Sequence, residues 1–417
     1  MSKLHKILKN DYVYNIVNKG YTIFIGLLSS AFMTRFLGVE YRGDYAFITQ
    51  IVVIASNILG FGMYQSYSYF YKKSKDKEKI FQQYITIYIF QFFLYTLISI
   101  VVLFLHHNYF LYFLAAILLP SQIFYQQLEA TMAVENIRLK ISLNMILNTV
   151  RLFIYIAVFY LFESSLSIAV GITLLLNIII SFSYIFIYRI KPSLKFIDFN
   201  LIVKIIKFSW LPMLTSLLIT FNYSVDTIML KYLSDSYSLS IYSVAAGIIT
   251  YFWFIPDAFK EVLVSRVTRE KGSDSTNIAI KVSLLVMIIV IIAFLIFGNI
   301  AIYIFYGKEF MASYPITLIL SIGGISMIFY KMIGVVLLAE GDTKVYFINL
   351  FISAASNVAI NFLVIPIWGM YGAAVSTVIS YTICGWLFLV FYCKKTDQSI
   401  REVLFFKKGE LKRMVRK

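Results

Sequence analysis

Charge is what this 417-residue chain has least of: 14% of its residues are charged, where a soluble domain carries about 25%. Acids are the scarcer kind, with 21 Asp and Glu against 37 Lys and Arg. A water-soluble globule of this size is therefore excluded. Cysteine is reduced to Cys384 and Cys393, which sit nine residues apart and face different sides of a helix, so neither a disulfide nor a metal pair is implied. Histidine occurs three times, as adjacent His106 and His107 and the distant His5, which makes a poor metal centre. Gly60-Phe61-Gly62 begins a GxG pattern but lacks the third glycine. No Walker lysine motif is present either, so the chain itself carries nothing that consumes ATP. No cofactor is implied.

Apolar length is what the chain does have. Hydrophobic residues make up 60% of it, in non-alternating runs near 20 residues, and these read as spanning helices rather than barrel strands. Twelve spans are expected, at roughly 12–37, 44–70, 80–105, 109–132, 141–162, 166–189, 208–231, 240–264, 279–304, 315–338, 345–366 and 370–393. The net charge of +16 does not point to nucleic acid, because the cations lie in tails and short connections between spans. One set of connections, with both tails, holds 29 Lys and Arg, and the opposite set holds only Arg35, Arg42, Lys231 and Lys308. By the positive-inside rule both termini are then cytoplasmic. The basic N-terminus lacks a cleavage signal. The outer connections are at most about ten residues, too short for an outer catalytic domain. Segments 4–8, 195–207 and 400–417 read as interfacial and amphipathic, the last as a basic tail.

The chain reads as duplicated. Arg35-Phe36-Leu37-Gly38 with Tyr45 answers Lys231-Tyr232-Leu233-Ser234 with Tyr242, and Glu135-Asn136 with Arg138 answers Gly341-Asp342 with Lys344. This predicts two six-helix lobes around a central cavity, 1–195 and 196–393, followed by a tail at 394–417. Repeats of this kind are a transporter layout.

Polar residues recur at three- and four-residue steps inside several spans, which places them on single helix faces. Asn15, Asn18, Lys19 and Ser29 form one such stripe, as do Asn144, Asn148, Arg151 and Tyr155, and Asn349, Ser353, Asn357 and Asn361. Asn222 and Asp226 mark span seven and Glu129 marks span four. Each stripe alone is compatible with helix-to-helix glue, and together they favour a hydrated cavity. Lys19, Arg151 and Lys331 lie within spans, where a charge costs about 2.5–3.5 kcal/mol on insertion scales. Neither Arg151 nor Lys331 has an acid within four residues. The expected substrate site is thus a cationic cavity lined by Lys19, Arg151 and Lys331 with Asn18, Asn148, Asn222 and Asn357, suited to an anion. Asp226 and Glu129 are ion-coupling candidates or, equally, partners for Arg151 or Lys331. Lys260, one turn beyond Asp257 and near the cytoplasmic end, reads as paired with it or snorkelling. Pro212 and Pro256 are candidate bending points or fixed kinks.

The stretch Thr34-Arg35-Phe36-Leu37-Gly38-Val39-Glu40-Tyr41-Arg42-Gly43-Asp44-Tyr45 resembles the opening of polysaccharide flippases. Asn222, Asp226 and Ile241-Tyr242-Ser243-Val244-Ala245 resemble that family's seventh and eighth spans, and Glu340-Gly341-Asp342-Thr343 with Trp368-Gly369-Met370-Tyr371-Gly372 its eleventh and twelfth. The likeness is to the Wzx-type branch of the multidrug/oligosaccharidyl-lipid/polysaccharide (MOP) exporter superfamily. It implies a two-lobed helical transporter in the bacterial cytoplasmic (inner) membrane, moving a polyprenyl-diphosphate-linked oligosaccharide of an O-antigen, capsule or similar polymer to the outer leaflet. A polysaccharide polymerase and assembly proteins are the implied partners. Ser234 departs from the family's usual glycine. Lipid II flippases of the superfamily have two further spans. Two rival readings remain. A drug or cation antiporter of the same superfamily needs acids facing its cavity, and a membrane polysaccharide polymerase needs a sizeable outer loop.

Overall fold

In lipid a backbone can satisfy its polar groups internally only as helix or closed barrel. The computed structural model describes residues 11–105, 110–190, 192, 197–267 and 273–406, and among these there are thirteen α-helices and no strand. They are α1 (Asp11–Leu59), α2 (Met63–Lys73), α3 (Lys77–Leu105), α4 (Phe110–Glu135), α5 (Ile137–Leu161), α6 (Leu166–Ile187) and α7 (Phe199–Leu233). There follow α8 (Ser236–Phe252), α9 (Phe254–Val267), α10 (Ser273–Phe305), α11 (Ser313–Glu340), α12 (Thr343–Thr396) and α13 (Ile400–Leu404).

Among the described residues nine helices are long and apolar enough to cross a membrane. Two of the nine are double, which reconciles them with the twelve expected spans. α1 passes through Gly38 at φ 60°, and α12 through Gly369 at φ 52°, both left-handed values that favour glycine. The second kink is a reversal. A Cβ on Gly372 would lie 2.5 Å from the Val364 carbonyl oxygen, whereas residues eight apart in a straight helix are about 12 Å apart. Ser376 accordingly donates to the Asn357 carbonyl across the two limbs at 3.2 Å. The remaining span is the eighth, divided at Trp253 into α8 and α9.

Two spans read as continuous in the sequence are therefore broken. The second stops at Leu59, turns through Phe61 and Gly62 at φ 51° and 59°, and resumes as α2. Gly62 lets α7 approach, since a Cβ there would lie 2.8 Å from Met213 Cβ. The eighth breaks three residues before Pro256, which takes the first turn of α9, where a missing N–H matters little. Pro212 lies inside α7.

The chain divides into two compact units, Met1–Thr220 and Phe221–Lys417, with the division inside α7. The N-terminal unit is centred on Tyr67, Tyr84, Tyr88, Phe124 and Tyr184, all buried. In the C-terminal unit α11 is the central element, buried along most of its length. It runs so close to the second limb of α12 that a Cβ on Gly385 would meet the Ser326 carbonyl. Overpacking of this kind costs about 1–3 kcal/mol. Gly385→Ala is therefore expected to lower the melting temperature of the detergent-solubilised protein. Gly247→Ala, in α8 with open space around it, is expected to be neutral or stabilising. Equal melting temperatures would show that the α11–α12 spacing is not limiting.

Candidate functional site

Residues 148, 151 and 155 of α5 are one turn apart and share a face. In the N-terminal unit that face meets both limbs of α1 and lines a half-open cavity of about 210 Å³. Asn148, Arg151 and Tyr155 line it from α5. Gly26, Ser29, Ser30, Met33 and Thr34 line it from the first limb of α1, and Arg42 and Tyr45 from the second. Among the described residues no carboxylate lines this cavity. Arg42 Nε donates to Thr34 Oγ1 at 3.1 Å across the Gly38 kink, and Tyr45 OH bonds Thr173 Oγ1 of α6 at 2.8 Å. Among the described residues Arg151 makes no ion pair and no hydrogen bond. Of the expected cavity residues, Asn148 and Arg151 are thus brought together. Asn18 is buried outside this lining, with no partner on its Oδ1. The side chain of Lys19 lies outside the described residues.

In the C-terminal unit the polar residues form a different arrangement. Asp226 of α7 is 1% exposed. Its Oδ1 accepts from Asn361 Nδ2 at 2.5 Å, and its Oδ2 accepts from Thr377 Oγ1 at 2.9 Å and Tyr242 OH at 3.0 Å. Asn361 also donates to Asn357 Oδ1 at 2.7 Å, and Asn357 to Ser380 Oγ at 3.0 Å. Ser353 Oγ donates to Asn222 Oδ1 at 2.8 Å. Asn222 and Asn357, expected on a hydrated cavity, are instead fully buried in this network between α7, α8 and the two limbs of α12. Nor does Asp226 pair with Arg151 or Lys331: its partners are neutral donors, and among the described residues it makes no ion pair. The Asn361 Oδ1 beside it is buried without a partner.

Lys331 is likewise not an open cavity cation. Its Nζ lies 2.6 Å from Asp257 Oδ1 and 4.4 Å from the centre of the Trp253 ring, at the break between α8 and α9. Asp257 therefore serves Lys331 of α11 rather than Lys260 on its own helix. Glu129 is taken up by Lys140 at 3.2 Å and by the Asn144 amide at 3.0 Å, so it is not an uncompensated acid.

Residues 8–253 match the model of the polysaccharide biosynthesis protein family, more than half of the chain. The chain belongs to the polysaccharide biosynthesis protein family. Residues 261–414 of this family member match the model of the lipid II flippase MurJ, and both matches place it in the MOP exporter superfamily. Its fold is similar to that of lipid II flippase MurJ in an inward closed conformation, with TM-score 0.75 and 17% identity over 96% of this chain and 90% of that one. It is also similar to a multidrug resistance MATE family transporter in an inward-facing conformation, with TM-score 0.68 and 14% identity over 90% and 94% of the two chains. A third likeness is to a MOP superfamily transporter from Pyrococcus furiosus described by the reverse polarity of its binding pocket. There the TM-score is 0.62, with 14% identity over 95% and 98% of the chains. At such identities the likeness establishes the fold. No curated protein matches in sequence.

Several site residues of this family member escape a reading of its sequence. Arg42 counts there as an outer-loop cation, although its place eight residues after Thr34 in the span-one motif was a usable signal. Thr377 carries no signal at all. Asp257 is 74 residues from Lys331 and only the tertiary fold joins them.

Proposed function

We propose that the chain is a flippase. It carries a polyprenyl-diphosphate-linked oligosaccharide repeat unit of an O-antigen, capsule or similar polymer across the bacterial cytoplasmic membrane, with both termini cytoplasmic and a gradient as driving force. The observation that carries this reading is the polarity of the N-terminal pocket. Among the described residues two guanidinium groups and no carboxylate line it, which suits an anionic substrate and opposes a cationic drug. Arginine grips phosphate and carboxylate through paired hydrogen bonds, which lysine cannot do. The family match to polysaccharide biosynthesis proteins supports a lipid-linked glycan in particular. The outer connections are too short to build a polymerase active site. The two halves 1–195 and 196–393, with the tail 394–417, are the proposed functional organisation, and a polymerase and assembly proteins the proposed partners. Asp226 is the proposed coupling acid. Glu129, held by Lys140, is a weaker candidate.

The test is flipping of a lipid-diphosphate oligosaccharide in vesicles containing the purified protein. A hydrogen bond to a charged group contributes about 1.5–3 kcal/mol, so Arg151→Ala should slow flipping about 10- to 150-fold. Arg151→Lys should keep part of the activity and Arg151→Glu none. Lys260→Ala is the mild control. Transport of a cationic dye in place of the lipid, accelerated by Arg151→Glu, would support the antiporter instead.

A further inference from the structure

Asp226 and Asp257 both belong to the C-terminal unit, and a layer of three aromatic rings joins their surroundings. Tyr223 lies one turn before Asp226 on α7. Tyr381 lies one turn beyond Thr377, a donor to Asp226, on α12. Both rings stand edge-on to Trp253, at 5.2 and 5.6 Å between centres, and the two tyrosines meet each other at 6.0 Å. Trp253 in turn carries the Lys331 Nζ at 4.4 Å from its ring centre, and that ammonium is the group paired with Asp257 at 2.6 Å. A run of contacts therefore leads from Asp257 through Lys331 and the three rings to Asp226.

The ammonium is a cation held by one carboxylate and one ring face. A ring face attracts any cation, and more strongly where water is excluded. The place is thus a monovalent cation site with the lysine as its resident ion. Three features point to exchange rather than a permanent bond. The Asp257 side chain is 46% exposed and that of Lys331 9%, so an ion from water reaches the carboxylate directly. Among the described residues Asp257 Oδ2 accepts no hydrogen bond, which leaves an oxygen for a second cation to land on before the first departs. Trp253 stands where the helix is interrupted between α8 and α9, and its buried Nε1 has no partner. A ring so placed shifts without melting a helix.

The far end of the run supplies a destination. Asp226 is a buried carboxylate with neutral donors, and a positive charge beside it would balance the site. A proton has no use for ring faces, because it moves along linked hydroxyls and water, and the orphan Trp253 Nε1 makes no such link. A metal cation does use them. We propose that Asp257 and the face of Trp253 form an outer station for a monovalent metal cation such as sodium, filled here by Lys331 as an internal counter-ion that the cation displaces on its way to Asp226. The proposal rests on the reading of Asp226 as the coupling acid for the destination of the ion, and not for the station itself.

The test uses the purified full chain with Trp210, Trp368 and Trp386, all exposed, replaced by phenylalanine, so that Trp253 is the one tryptophan left. Sodium chloride replaces N-methyl-D-glucamine chloride at constant ionic strength while Trp253 emission and the melting temperature are followed. A saturable change in emission is expected as the ammonium leaves the ring, with the rise in melting temperature that a bound ligand gives. Lys331→Met empties the station, so the sodium concentration at which the melting temperature begins to rise should fall about tenfold or more. A lysine that merely braces α9 against α11 would leave sodium affinity unchanged when removed. Adding Asp257→Asn to Lys331→Met should raise that concentration again by at least the same factor. This double variant holds no stranded ammonium, so it serves even if Asp257→Asn alone does not fold. Trp253 emission that ignores sodium, or a sodium affinity indifferent to both substitutions, overturns the proposal. Asp226→Asn separates the two readings. Wild-type flipping by Asp226→Asn, with the emission change and its Lys331 dependence intact, refutes only the coupling role of Asp226. Gradient-driven flipping lost in Asp226→Asn, with no sodium effect at Trp253 in the unsubstituted site, refutes only the station.

Discussion

Asp226→Asn is expected to abolish gradient-driven transport while leaving the protein folded. The carboxylate is buried, and its three donors are all neutral. A charge so placed is expensive in a membrane and is a functional candidate by that fact alone. The substitution removes the charge at almost constant shape. The new amide can take the place of Oδ2 and donate to Thr377 Oγ1, while Oδ1 still accepts from Asn361. Thr377 donates to the Ala373 carbonyl at 2.8 Å and Tyr242 to Thr377 Oγ1 at 3.1 Å, so both hydroxyl protons keep an acceptor. Asp226→Ala is a different experiment, because it strands the Asn361 amide that donates to Oδ1, at about 1–3 kcal/mol, and leaves a cavity. Melting temperature and membrane yield of Asp226→Asn should therefore match the wild type. Its flipping rate should fall about 10- to 150-fold, the equivalent of losing one charge-assisted contact. The residual rate should not change when ionophores collapse the gradients. Wild-type flipping with intact gradient dependence would make Asp226 purely structural.

The sequence carried the helical class and the number of spans, because burial in lipid leaves length and apolarity as direct signals. Breaks inside spans were harder to see. Gly60 and Gly62 flank the break in span two, yet the apolar run continues through them. The turn there depends on how closely Met213 of α7 approaches, which is a tertiary matter. The break at Trp253 has no glycine, and its marker Pro256 comes three residues later. The polar stripes were legible as helix faces but not as environments. Arg151 on α5 and Asn357 on α12 give the same periodic signal. Asn357 meets Ser380 and Asn361 and is consumed by them. Among the described residues Arg151 meets no acid, and it lines an open volume. Period tells which residues share a face, and only the opposing helix decides whether that face is sealed.

Lys331 and Asp257 present the second large effect, and it differs between the partners. The lysine side chain is 9% exposed and the aspartate 46%. Asp257→Ala leaves an ammonium buried without its acid, and removing one partner of a buried pair costs about 3–5 kcal/mol. Lys331→Met leaves a carboxylate that water still reaches, and the thioether can fill the space under Trp253, so the loss should be well below that figure. Membrane yield and melting temperature should thus fall further for Asp257→Ala than for Lys331→Met. The double variant Lys331→Met/Asp257→Leu should regain most of both, since an apolar replacement of a buried pair is often neutral or better. Transport separates the two roles the pair could have. If an anionic substrate draws Lys331 away from Asp257 during the cycle, the double variant folds well and flips poorly, and this is the expected result. A double variant that is abundant and flips at the wild-type rate would confine the pair to holding α9 against α11 at the Trp253 break.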